Sequence, residues 1–229
     1  MAAQGNVGAD AIQITRRERT RFESAMASTK KFIRRKPMGA VGAAIFMVLI
    51  LAGVFADIVA PYGMSQQSSN TLQGPSGSYL AGTDQFGRDI FTRLLYGARV
   101  SIYVGTAVTL LGILPALALG TMSAFFGGKF DYMLQRLVDT FQAVPYLILL
   151  IAIMMILGPS LLNVIFALAL RRAIVESRVM RGAAMTIINN PYIEASRSIG
   201  ATDVRIMIRH IVPNLMPTLI VLGSIGFGS

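Results

Sequence analysis

Cysteine and tryptophan are absent from the 229 residues, and histidine occurs once, as His210. Without cysteine there are no disulfides, no thiolate metal sites and no cysteine nucleophile. One histidine cannot build a histidine-rich metal site. Charge is also scarce, at 14% of residues, against about 25% in ordinary soluble domains. The deficit is concentrated in apolar runs long enough to cross a bilayer, and mean hydropathy is +0.60. The fold class expected is therefore all-α, a polytopic helical membrane protein. No G-x-x-x-x-G-K-[ST] phosphate loop occurs, and no cofactor is implied. A cleavable signal peptide is not expected, because the first apolar run begins late and is too long.

The formal net charge is +10, but its placement is more informative than its sign. Nine of the 21 Lys and Arg residues precede residue 37, and seven more lie between Arg171 and Arg209. Basic residues gather in cytoplasmic segments, which places both regions and the N-terminus inside. The clusters flank apolar runs and no nucleic-acid fold signature accompanies them, so no nucleic-acid partner is expected. The tail over residues 1–37, with Arg16, Arg17, Arg19, Arg21, Lys30, Lys31, Arg34, Arg35 and Lys36, reads as a solvated segment that also meets anionic lipid.

About five spans are expected. The first covers residues 38–62, with Asp57 near its outer end. Residues 63–98 form an extracytoplasmic loop whose last part, Asp89–Arg99, reads as a short amphipathic helix along the membrane surface. Its candidate outer-mouth residues are Asp84, Arg88, Asp89 and Arg93; the plainer reading is an interfacial anchor. Residues 99–229 form the remaining membrane domain. Within it a span over 100–128 contains Pro115, and a short cytoplasmic helix carries Lys129, Asp131, Arg136 and Asp139. Further spans follow over 138–157 and from Leu161, and a last apolar run over 211–229 is interrupted by Pro213 and Pro217. With no Trp, tyrosines supply the interfacial belt: Tyr62, Tyr79, Tyr96 and Tyr103 outside, Tyr132, Tyr146 and Tyr192 inside.

Residues 189–213 form a charged helix–Gly–helix segment between apolar blocks. Asn190 and Pro191 start the first helix. Tyr192, Ala195, Ser196 and Ile199 make its small-to-apolar stripe, with Glu194 and Arg197 off it as an i, i+3 pair. Gly200 ends it in the left-handed conformation. Thr202 caps a second helix whose apolar stripe is Val204, Met207, Ile208 and Ile211. Helices this short are marginal alone and need a surface to pack on. That surface is either the inner ends of the spans or another protein.

The segment Glu194-Ala195-Ser196, followed by Gly200 and Val212-Pro213, resembles the EAA loop of ATP-binding-cassette importer permeases. Ser196 replaces that family's second Ala and Val212 its Leu. RHIVPN resembles the RHILPN of the peptide-permease branch. GTDQFGRDIFTRLLYGARVS is similar to GTD-x-x-GRD-x-x-SRL-x-YGAR-x-S of the dipeptide/oligopeptide permeases, C-type subunit. FFGGKFDYMLQRLVDTFQAVP is similar to that family's YYGG-x-x-D-x-x-x-MR-x-x-D-x-x-x-x-x-P stretch. FIRRKPMGAVG and IVAPYG resemble the ends of its first span. The resemblance runs over roughly residues 32–222.

The resemblance implies a permease subunit of a binding-protein-dependent importer of di- and oligopeptides, in a bacterial or archaeal plasma membrane. The implied partners are a second, B-type permease subunit, two ATPase subunits and an extracytoplasmic solute-binding protein, with membrane lipid around them. The ATPase-coupling residues would be Glu194, Ala195, Ser196, Arg197, Gly200 and Ala201, and the chain itself would catalyse nothing. Nickel chelates, glutathione or opines are alternative solutes of the same branch. A non-transporting scaffold and a secondary transporter are alternatives of other classes. Arg171, Arg172 and Glu176 depart from the family, which is neutral there. They either line the solute path, favouring a carboxylate-bearing solute, or snorkel to the inner headgroups. The family pattern continues past the end of the fifth span, so the expectation is a chain truncated before the last one.

Overall fold

The computed structural model describes residues 33–228. The tail call for residues 1–32 lies outside the described residues. The chain divides into two units, up to Leu49 and from Ile50 onward. The first holds most of α1 (Pro37–Val54). Met38, Val41, Ile45 and Met47 are all exposed there, as expected of a helix that is apolar on every side and meets lipid.

The second unit contains α2 (Ala56–Val59), α3 (Ile90–Phe126), α4 (Gly128–Ala143), α5 (Tyr146–Leu157), α6 (Leu161–Ile188), α7 (Pro191–Ser198) and α8 (Asp203–Phe227). Among the described residues the only β structure is an isolated bridge, Thr83 to Asp89. The polytopic helical class is borne out. By length and composition α1, α3 and α8 can each cross a membrane, and α4 with α5 can form a fourth crossing bent by 87°. α6 is long enough, but it carries Arg171, Arg172, Glu176, Arg178 and Arg181.

Three expected boundaries move. The surface helix over residues 89–99 is not a separate element; it forms the first turns of the 37-residue α3. Arg93 and Arg99 both find carboxylates, at Asp84 and Asp57, and extending an existing helix costs less than nucleating another. At 1.5 Å per residue α3 is about 55 Å long, well beyond the roughly 30 Å hydrocarbon core. The helix is therefore longer than one crossing needs, and its polar first turns are the excess. Second, the span over 138–157 is broken at Val144 and Pro145, leaving α5 with 12 residues, about 18 Å. Third, the second helix of the 189–213 segment does not stop before the last apolar run. α8 passes straight through, with a π-helical turn at Met207–Ile211. Pro213 cannot donate to the carbonyl four residues back, and its ring crowds it. The wider turn absorbs that defect, and the N–H of Val212 bonds Met207 O instead.

The second unit is organised by α3 against α6. Gly112, Ala116 and Gly120 recur every fourth residue, a small-xxx-small stripe that lets two backbones approach closely. A Cβ on Gly120 would lie 2.5 Å from Ser177 O and 2.6 Å from Met180 Cβ. One on Gly112 would lie 2.9 Å from Arg172 Cβ. Ala116, Ser123, Ser177, Met180 and Ala184 are fully buried. Near the inner end Ala184 joins Ile193, Ile206, Ile211 and Leu215 in one apolar core.

Gly120→Leu is expected to force α3 and α6 apart and to cost about 1–3 kcal/mol, the range for overpacking a tight contact. A lowered thermal-unfolding midpoint in detergent, with helical content retained at low temperature, checks this; an unchanged midpoint would show that the contact is loose.

Candidate functional site

Residues 63–89 fold into a compact knot rather than a slack loop. Thr83 is its pin. Its hydroxyl donates to Asn70 O at 2.6 Å and accepts from Gln73 N at 2.9 Å. Gly82 and Gly87 both have positive φ, +78° and +70°, and a Cβ on either would sit 2.3 Å or closer to a facing carbonyl oxygen. Only glycine meets both demands, the left-handed conformation and the close approach. Ser68 donates through its N–H and its hydroxyl to Gly87 O.

Asp84 is the charge centre of the knot. Its Oδ1 accepts from the N–H groups of Phe86 and Arg88 at 2.8 and 3.0 Å. Its Oδ2 accepts from Arg88 Nε at 2.8 Å and Arg93 Nη1 at 3.0 Å. Partial desolvation pushes this carboxyl up, but the two backbone N–H groups and the Arg88 guanidinium outweigh it and hold the pKa at about 2. Asp89 has a different task. It is buried, and its Oδ2 accepts from Thr92 N at 2.7 Å to cap α3. Of the four candidate outer-mouth residues, Asp84, Arg88 and Arg93 therefore share one groove, of about 630 Å³, with Leu72 and Leu94. Asp89 lies beneath, committed to the helix. Arg99 completes the outer layer. It donates to Gly53 O at 2.8 Å and to Asp57 Oδ2 at 2.9 Å, tying α3 to the last turn of α1 and to α2.

Arg171 and Arg172 part company. Arg172 is only 7% exposed, so it does not snorkel. Its Nε meets Glu176 Oε1 at 2.9 Å, Nη2 donates to Leu222 O at 2.7 Å and Nη1 to Thr109 Oγ1 at 3.3 Å. Those partners lie on α6, α8 and α3. Gly112 and Gly226 give it room, since a Cβ on either would collide with its side chain. Arg172 and Glu176 thus pair within the helix packing, and together with Arg171 they border a cavity of about 130 Å³. Arg171 is exposed on another side of α6, with its guanidinium 4.5 Å from the centre of the Tyr146 ring. Tyr146 is the first residue of α5, directly after Pro145. It stands at the elbow between α4 and α5, beside a cavity of about 280 Å³ that Arg171 also lines.

At the inner end, Gly200 has φ +80°. Its N–H donates to Arg197 O, and that of Ala201 to Ser196 O. This pair of bonds is the Schellman arrangement, which satisfies the last carbonyls of α7. Thr202 caps α8, accepting from Arg205 N. Three details differ from expectation. Asn190 stands at the N-terminal boundary of α7, but its side chain donates backward to Thr186 O and Ile187 O, closing α6 instead. Arg197 does not pair with Glu194; its guanidinium lies 5.0 Å from the centre of the Phe125 ring. The residue that anchors α7 is Ile193, 1% exposed, which the helical stripe passed over. Tyr192, Ala195 and Ile199 remain outside, Ile199 at 86% exposure. On α8 the buried residues are Ile206, Ile211 and Leu215, while Val204 and Ile208 of the expected stripe are exposed. A cavity of about 320 Å³ beside α7 is lined by Asn189, Asn190, Glu194 and Arg197.

One polar cluster is not foreshadowed by any local pattern. Asp131 of α4 accepts from Arg181 Nε of α6 at 2.6 Å and also from the hydroxyl of Ser123, a residue of α3. Gln135 Nε2 donates to the same hydroxyl at 3.0 Å. Asp139 pairs with Arg178. The partners are 8 to 50 residues apart, and i, i+4 spacing cannot reveal them.

Two outcomes are expected. Because the Asp84 pKa is lowered in the fold, its contribution is complete above the ordinary carboxyl range near 3.8 and is lost as pH falls toward 2. Amide-exchange protection of Phe86 and Arg88 should fall between pH 4 and pH 2 and stay level above pH 4. Glu176→Gln should cost about 3–5 kcal/mol by leaving the buried Arg172 unpaired, measured as a lower unfolding midpoint. Restoring neutrality with Arg172→Met in the same chain should return much of the loss.

Residues 116–229 match the family described as binding-protein-dependent transport system inner membrane component. Residues 28–75 match the N-terminal TM domain of oligopeptide transport permease C. The chain is 37% identical over 199 residues to the di/tripeptide transport system permease protein DppC of Pseudomonas aeruginosa (strain UCBPP-PA14), covering 83% of this chain and 66% of that protein. It is 34% identical over 220 residues to the oligopeptide transport system permease protein OppC of Bacillus subtilis (strain 168), covering 96% and 70%. The dipeptide transport system permease protein DppC of Haemophilus influenzae is 34% identical over 206 residues, covering 86% and 70%. The chain spans about two thirds of the length of these relatives.

Proposed function

The chain belongs to the binding-protein-dependent transport permeases, in the dipeptide/oligopeptide permease C branch, and from that premise we propose that it forms half of the translocation path of an ATP-driven importer of di- and oligopeptides. It is a multi-pass membrane protein; the plasma membrane is the proposed site. In this reading a B-type permease supplies the other half of the path, two ATPase subunits dock from the cytoplasm, and a solute-binding protein delivers peptide at the outer face. Chemistry on ATP belongs to the ATPase subunits.

The observation that carries the coupling role is the mounting of α7. A single buried side chain, Ile193, fixes the helix to the inner core. The Schellman end at Gly200 fixes its angle to α8. The opposite face, with Tyr192, Ala195 and Ile199, remains exposed. A surface-exposed Ile such as Ile199, at the end of a helix too short to be stable alone, is suited to a groove on another protein. Glu194 and Arg197 flank the adjoining cavity and supply polar contacts at its rim. The Asp84–Arg88–Arg93 groove is the proposed seat for the solute-binding protein. There the rigid knot would hold three charged side chains in fixed geometry.

Gly200→Val places a β-branched residue at φ +80°, a strain of about 1–2 kcal/mol. That should reduce the correctly set α7, and with it transport-coupled ATP hydrolysis, by about 5–30-fold while the subunits still assemble. Assembled Gly200→Val protein that transports at the wild-type rate would falsify the joint role. Independently, Ala195→Trp should remove the ATPase from the purified assembly; retention of the ATPase would speak against docking on this face.

A further inference from the structure

We infer that the cavity at Arg171 is a carboxylate subsite near the middle of the membrane, taking the free C-terminal carboxylate of a passing peptide. This rests on the transport reading above and adds to it the part of the solute that is recognised.

Depth is the first argument. Arg171 lies ten residues into α6, about 15 Å from its start. Tyr146 lies eleven residues back from the end of α5, at a similar distance from the same turn at residues 158–160. With that turn at the membrane surface, both stand near the middle of a hydrocarbon core roughly 30 Å thick. Arg178 and Arg181 come two to three turns later, where they meet Asp139 and Asp131. Arg171 does not reach toward that polar layer. It stacks on Tyr146 instead.

Charge is the second. Among the described residues Arg178 and Arg181 have carboxylate partners and Arg172 has Glu176. Arg171 is the one arginine of α6 with no carboxylate partner there. An uncompensated Arg at this depth is costly in lipid, so it faces water, an anion or both. The distinction from Arg172 matters: the neighbouring charge is paired with Glu176, whereas Arg171, which borders both this cavity and a smaller one beside Arg172, has no carboxylate partner among the described residues.

Geometry is the third. Stacking on the ring occupies a face of the guanidinium and leaves its in-plane N–H groups free. Those N–H groups match the two oxygens of a carboxylate. The cavity, of about 280 Å³, also presents the Gln142 side chain, with Val144, Leu149 and Val175 as apolar wall. That volume holds a carboxylate and part of one residue, not a whole peptide, which is what a subsite requires.

The test exploits the absence of cysteine. Val175→Cys places one thiol in this chain at the cavity, and Leu149→Cys reports on the same space from α5 should the first variant fail to fold. In membrane vesicles holding the full chain and its partner subunits, an anionic sulfonate thiosulfonate reagent should label either thiol about tenfold faster than a cationic trimethylammonium one. Arg171→Gln in the same background should abolish that ratio. Millimolar dialanine should slow labelling, and dialanine amide should not. Equal rates for the two reagents, a ratio that survives Arg171→Gln, equal protection by peptide and amide, or thiols that neither reagent reaches would each overturn the subsite. Uptake of labelled dialanine by the same vesicles addresses the transport reading separately. Carboxylate-specific protection without uptake would sink that reading and keep the subsite, whereas uptake without carboxylate-specific protection would do the reverse.

Discussion

The close approach of α3 and α6 is the constraint on which the rest depends. It exists because Gly112, Ala116 and Gly120 present almost no side chain where the helices meet. In lipid, apolar burial gives little drive for helix association, and packing plus interhelical polar contacts must supply it. The narrow gap supplies both. It buries Met180 and Ala184 completely. It also brings Arg172 close enough to reach α3 and α8 at once, and sets Arg181 against Asp131. A wider gap would carry Thr109 out of reach of the buried Arg172 and remove that contact between the helices.

From this pair the functional parts are placed at three levels. At one end, Asp89 caps α3 and Asp84 bonds Arg93 of its first turn, joining the helix to the knot over residues 63–89. At mid-depth, the same α6 that buries Arg172 turns Arg171 away toward α5. Inside, α6 ends at Asn189 and Asn190, whose backward hydrogen bonds close it and launch α7 at a fixed angle. Coupling between levels in this scheme requires no moving loop. Rotation of α6 against α3 would carry both the Arg171 cavity and the seat of α7, since both are built on the same 28-residue helix.

The two arginines show how neighbouring residues acquire unrelated tasks. Successive positions on a helix point about 100° apart, so Arg171 and Arg172 face different neighbours. One faces Thr109, Leu222 and its own Glu176 and becomes a neutral structural pin. The other faces an aromatic ring and a cavity and keeps its charge. The same logic separates Asp84 from Asp89, one available at a groove and one consumed by a helix cap.

Hydropathy alone determined the polytopic helical class, and the motif residues determined the family and the positions of the turns, because those follow from local composition and backbone demands. Gly200 had to be left-handed wherever its helix packed, and Thr202 had to cap. Tertiary structure decided what depends on facing. It made Ile193 rather than the Tyr192–Ile199 stripe the anchor of α7, since a two-turn helix has too few residues for periodicity to choose a side. It fused the outer helix into α3, since Arg93 and Arg99 find partners 9 and 42 residues away. And it paired Asp131 with Arg181 and Arg172 with the α8 backbone, 50 residues off in each case. Such contacts arise only once small residues let two helices touch, and no spacing within either helix encodes them.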